Sequence, residues 1–182
     1  RMLRASPHAP MPDAGCVLRP VTAVSDALCA ELLPIEEAAF PPCERLGGAG
    51  LKAFVLQRTN GLLVAEAQRR SVGYCLFARI APSAFITKVA VASVFRGRGV
   101  GSALVARALQ ELLTGSRRPP AEILLHVDPQ RTGARRLYEK FGFRERERLP
   151  GYYPDHESPF GGRDALLMCL VPGIRSPGER SP

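Results

Sequence analysis

The chain has 182 residues, 46% of them hydrophobic, and a formal net charge of +8. That length suits one domain with a full core, and no apolar run reaches bilayer-spanning length, which argues against a transmembrane helix. The five cysteines, at 16, 29, 43, 75 and 169, are odd in number, scattered and without a CxxC pair, which argues against a disulfide framework or zinc and for reduced thiols.

Residues 1–15 are proline-rich and poor in apolar side chains, as are 172–182, and both are expected to be disordered tails around a domain at 16–171. Cys16–Thr22 is predicted as a strand. Ser25 can cap a helix over Asp26–Leu33; Pro34 is expected to interrupt it, and Ile35–Phe40 to carry it on until Pro41-Pro42. A second helix is predicted over Glu44–Arg58. Leu62–Ala67 and Ser71–Arg79 read as a hairpin around Gln68–Arg70, and Ala84–Ala92 as the third strand of that meander. After it, Leu104, Val105, Ala108, Leu109 and Leu112 recur at helical spacing, with Gly115 as the stop. Glu122–Val127 is the next strand. Asp128-Pro129 reads as N-cap and first position of a helix whose face carries Ala134, Leu137, Tyr138 and Phe141. Phe143–Leu149 and Ala165–Val171 close the sheet. The class is α+β.

The stretch Arg96-Gly97-Arg98-Gly99-Val100-Gly101-Ser102 joins a strand to a helix. Glycines let a backbone approach a ligand closely, and a helix start presents unpaired amides and partial positive charge. Together they form a diphosphate cradle, with Arg96 and Arg98 adding charge. The spacing lacks Gly-Lys-Ser/Thr, so it is no P-loop. It reads G-x-G-x-G, with Ser102 where a dinucleotide fingerprint has its third glycine. On these residues alone, a glycine-rich turn with no ligand stays open. A polyanionic ligand and scattered arginines account for the positive charge. No basic block is interleaved with aromatics and there is no Trp, so no nucleic-acid partner is expected.

R-x-x-G-x-G, from Arg96 to Gly101, resembles the pyrophosphate loop of the GCN5-related N-acetyltransferases (GNAT), which bind acetyl-CoA. Ile123–Asp128 followed by Leu137-Tyr138-Glu139-Lys140-Phe141-Gly142-Phe143 resembles the second half of that family's core, ending L-Y-x-x-x-G-F. The resemblance implies a mixed sheet of about seven strands with four helices, splayed between strands 84–92 and 122–127. It further implies that acetyl-CoA is held by Arg96–Ser102 (with Val100 among them), by the main chain of Val89, Ala90 and Val91, and by Arg131 and Ala134. The family often has Asn at the position of Arg131.

Tyr138 matches the motif tyrosine, a proton donor to the leaving thiolate; helical spacing alone would read a core tyrosine. Leu125-His126-Val127 resembles the L-H-V of protein N-terminal acetyltransferases of the NatE and NatF type, which assigns His126 as the base. Glu36–Pro41 resembles an element ending in Phe-Pro that packs on a peptide's first residue. Pro150–Pro154 resembles a Tyr-Tyr segment that contacts the peptide backbone. Phe40, Pro41, Tyr152 and Tyr153 are thus the candidate acceptor residues. Phe85 stands where the NatE type has a second catalytic tyrosine, and the polar segment Asp155–Gly162 borders the acceptor side. The implied acceptor is a protein α-amine or lysine. A small amine (polyamine, arylalkylamine or aminoglycoside) remains open, as does a non-catalytic acetyl-CoA-binding module. No metal or membrane partner is expected. An intracellular, reducing compartment is expected, the cytoplasm first and an organelle second. The sequence sets no oligomeric state.

Overall fold

The computed structural model describes residues 15–115, 118–153 and 163–173. Residues 1–14 and 174–182, which make up most of the expected tails, and Asp155–Gly162 lie outside the described residues. The order is β1 (Val17–Val21), α1 (Asp26–Ala39), α2 (Gly47–Leu56), β2 (Asn60–Ala67), β3 (Arg70–Ile80), β4 (Ser83–Val91), α3 (Val100–Thr114), β5 (Glu122–Val127), α4 (Thr132–Lys140), β6 (Arg144–Leu149) and β7 (Ala165–Leu170). The seven strands form one sheet in the order β1-β2-β3-β4-β5-β7-β6. Only β4 and β5 run parallel among these neighbours. No described helix is long and apolar enough to cross a membrane.

Strand alternation sorts the core into two layers. Leu62, Val64, Tyr74, Leu76 and Ala90 face Leu28, Leu32 and Ile35 of α1 and Leu51 of α2. Leu63, Ala65, Cys75, Ile86, Ile123, Leu125 and Val127 face Leu104, Val105 and Ala108 of α3 and Tyr138 of α4. The hairpin turns at Gln68 and Arg69, both at positive φ.

Several element boundaries differ from the sequence expectation. Pro34 does not interrupt α1, which runs unbroken from Asp26 to Ala39. Pro34 and Ala30, whose carbonyl the proline leaves without its helical donor, are both exposed, so water can serve the freed group. The second helix does not begin at Glu44. Pro42–Glu44 forms a 3-10 turn, and α2 starts at Gly47, whose φ is +66°. The reason is Glu36, which is only 1% exposed. Its carboxylate accepts the N–H groups of Leu46 (2.9 Å) and Gly47 (3.0 Å), anchoring the start of α2 against α1. Tyr74 Oη also donates to it, at 3.3 Å. Asp128-Pro129 does not open the last helix either. Asp128 Oδ1 accepts from Gln130 N–H at 2.8 Å, a tight Asx turn, and α4 begins at Thr132.

Glu36→Ala leaves two helix-start amides and a buried phenol without their acceptor. The expected loss is about 3 kcal/mol of folding stability, read as a lower urea midpoint with unchanged slope. A midpoint within error of wild type would mean that water replaces the carboxylate.

Candidate active site

Strands β4 and β5 pair only at their starts: Ser83 with Glu122, Ala84 with Ile123 and Phe85 with Leu124. Beyond Phe85 the strands part, as the splay expectation requires. On its other side β4 stays paired to β3 through Val91. The β4 edge over Val89, Ala90 and Val91 is therefore left to main-chain contacts with something other than β5. Ala90 packs into the α1–α2 layer, while Val89 and Val91 pack against the α3–α4 layer.

A cleft of about 640 Å³ runs through this gap. From the α3–α4 side it is lined by Ala134 and Tyr138. From the other side come Phe40, Glu44 and Phe54, with Phe85, Lys88, His126, Arg131, Tyr152 and Tyr153 around it. Two residues expected to carry chemistry thus line one cleft from opposite faces of the sheet. Leu125 and Val127 point to the α3–α4 core, so the intervening His126 points to the other face. Its ring stacks on Tyr152, centroids 4.5 Å apart at 18°. Partial burial holds the imidazole below its ordinary value of 6.5, so it is neutral near pH 7.

Tyr138 is 8% exposed, with its ring edge-on to Phe143. Burial above all pushes its phenol up, and Arg131 opposes this. The hydroxyl therefore keeps its proton across the working range. Tyr153 donates its N–H to the Arg163 carbonyl at 3.0 Å, tying the Tyr-Tyr segment to the entry of β7. Burial, then Glu44, raises both the Tyr152 and Tyr153 phenols. Pro41, expected beside Phe40 on the acceptor wall, is buried and does not line the cleft. Its carbonyl accepts from Glu44 N–H and starts the 3-10 turn.

The glycine loop lies beyond the C-terminal end of β4. Gly97 and Gly99 have φ of +74° and +81°, conformations that favour glycine. Gly99 is the N-cap of α3, and no side chain caps that end. The first intrahelical bond is donated by Ala103 to the Gly99 carbonyl, so the amides of Val100, Gly101 and Ser102 precede it. Val100 buries its side chain in the core, and a Cβ at Gly101 would meet Leu137 at 3.4 Å. Arg96 is engaged with the fold itself. Its Nε donates to the Val91 carbonyl and its Nη2 to the Ala38 carbonyl. Arg98 lies over the Phe95 ring and is exposed.

Sequence reasoning missed Lys88 and the cation-rich side of the cleft. Burial lowers the Lys88 ammonium, and Glu36 and Glu44 offset part of that. Arg131 is not arranged as a plain counterpart of the family's Asn. It reaches the Ala39 carbonyl and the Glu44 carboxylate, both at 3.3 Å. A lysine in Ile86-Thr87-Lys88-Val89 reads as a solvent-facing strand residue; only the chain fold brings its partners to it.

Residues 58–145 match the family model described as the acetyltransferase (GNAT) domain. Over 109 residues the chain is 36% identical to an uncharacterised N-acetyltransferase of Methanocaldococcus jannaschii, covering 60% of this chain and 65% of that protein. It is 33% identical over 94 residues to the N-alpha-acetyltransferase MAK3 of Arabidopsis thaliana, covering 51% of this chain and 45% of that one. The chain thus spans less than two thirds of either curated relative. In structure it is similar to the ribosomal-protein-S18-alanine N-acetyltransferase of Escherichia coli. There the TM-score is 0.70 at 20% identity, over 91% of this chain and 99% of that one, a likeness of fold. The residues that match the GNAT domain, 58–145, are those that hold the parted β4 and β5 and the uncapped α3 start.

Proposed function

We propose that the chain is an acetyl-CoA-dependent N-acetyltransferase whose acceptor, the α-amino group of a protein N terminus, attacks the acetyl thioester directly within a ternary complex. One observation carries the reading: a single cleft through the strand gap is lined by both His126 and Tyr138. The residues also fit the cofactor. A free β4 edge suits an extended amide-bearing arm, and uncapped α3 amides beside Gly97 and Gly99 suit a diphosphate. Acetyl-CoA would supply the activated acetyl thioester. Val89–Val91 would hold its arm by main-chain bonds, and Gly97–Ser102 its diphosphate. His126 accepts the acceptor's ammonium proton, directly or through water. Tyr138 holds a proton at Oη for the departing sulfur.

Proton affinity favours the α-amine over lysine. A neutral imidazole with a pKa below 6.5 must take a proton from an α-ammonium near 8 or a lysine ammonium near 10.4, the second costing roughly 2.5 pH units more. The names of two similar proteins, an N-alpha-acetyltransferase and a ribosomal-protein alanine acetyltransferase, point the same way.

The test is CoA release with free-N-terminus peptides, with N-blocked lysine peptides, with a polyamine and arylalkylamine panel, and with no acceptor. Faster turnover of a small amine than of any peptide would replace this reading. No turnover with any acceptor, despite acetyl-CoA binding, would leave a binding module. Gly99→Asp or Gly101→Asp places a carboxylate at the α3 start. Each should weaken acetyl-CoA at least about tenfold and shrink its thermal stabilisation accordingly. Unchanged affinity in both variants would remove the loop from the cofactor site.

A further inference from the structure

Phe40, expected as the apolar wall for an acceptor's first side chain, is already covered by cations. Lys88, one residue before Val89 on β4, has a side chain only 9% exposed. Its Nζ sits 4.0 Å from the Phe40 ring centroid and donates to the Glu44 carbonyl. It also lies 3.8 Å from Glu36 Oε1. The Arg131 guanidinium approaches the same ring, at 5.3 Å. Phe40, Glu44, Lys88 and Arg131 all line the cleft.

We propose that Lys88 determines acceptor selectivity, so that the cleft admits N termini beginning with a small residue such as glycine, alanine or serine and rejects those beginning with methionine or leucine. This rests on the reading of the acceptor as a protein N terminus. An ammonium is attracted to an aromatic face, and here it is held where an apolar side chain would pack. A large apolar residue can reach Phe40 in two ways. It can displace the ammonium, which breaks the bond to the Glu44 carbonyl and leaves the charge poorly solvated. Or it can lie against Lys88 and Arg131, stripping their remaining water without replacing it. A hydrogen, methyl or hydroxymethyl side chain does neither.

The experiment compares kcat/KM of the full chain for peptides that differ only in their first residue: Gly, Ala, Ser, Met and Leu. The wild type should favour the small residues by about tenfold or more. Lys88→Met puts an apolar chain of similar length on the ring and should shift the Met-to-Ala ratio about tenfold toward Met. Lys88→Arg keeps a cation there and should keep the ratio. Stabilisation by acetyl-CoA checks that each variant folds. Should Lys88→Met fail to fold, Lys88→Gln carries the same expectation of a relaxed ratio. A wild-type preference for Met or Leu overturns the proposal, as does an unchanged ratio once the ammonium is gone. Both outcomes leave N-terminal acetylation standing. Turnover of small amines alone instead removes the N-terminal reading, and this inference falls with it.

Discussion

Tyr138→Phe is expected to cut kcat by about 10²–10⁴-fold while leaving acetyl-CoA affinity nearly unchanged. The ring is buried against Phe143, and a phenyl group keeps that packing. What disappears is a hydroxyl at the cleft whose burial keeps it protonated. A thiolate leaving into the cleft that Tyr138 lines would otherwise carry its charge without that donor. The measurement is single-turnover acetyl transfer together with a cofactor titration. A folded variant with full turnover would make Tyr138 a packing residue.

For His126→Ala the expected result is a changed pH profile as well as a rate loss of about 10²-fold. Burial disfavours the imidazolium, so the neutral, proton-accepting form prevails down to a pH below 6.5. In the wild type kcat/KM should therefore climb as pH rises through that depressed value. The acceptor's own α-amine adds a second climb near pH 8. In the alanine variant only the second should remain. An acidic limb that persists unaltered would assign the proton to another group.

Much of this architecture is legible in the sequence because its signals are local. Glu122–Val127 is an apolar run bounded by turn residues and forms a strand over those same positions. Gly97 and Gly99 mark positive φ where the chain turns into α3. His126 and Tyr138 are singled out by motif, and the alternation on β5 turns the imidazole away from the α3–α4 core. What stays hidden depends on distant partners. Nothing near Pro34 tells that its carbonyl partner faces water. Glu36 anchors α2 across a stretch of irregular chain, and no periodicity encodes that. Lys88 is 44 residues from Glu44, whose carbonyl it engages, so its burial cannot be read from its strand.

The sheet has two outer edges and one inner edge. On β1, Pro20 has no N–H to offer a neighbouring strand. On β6, Arg144 to Arg148 are five consecutive exposed charges, and a bulge breaks the ladder between Glu145 and Glu147. Both outer edges therefore resist pairing with another copy of the chain, the usual route by which exposed strands aggregate. The inner edge lies along Val89–Val91, where Arg96 Nε already donates to the Val91 carbonyl and Val89 lines the cleft. The strand edge left without a neighbouring strand beyond Phe85 is thus an interior one, away from the two edges at which copies of the chain could meet.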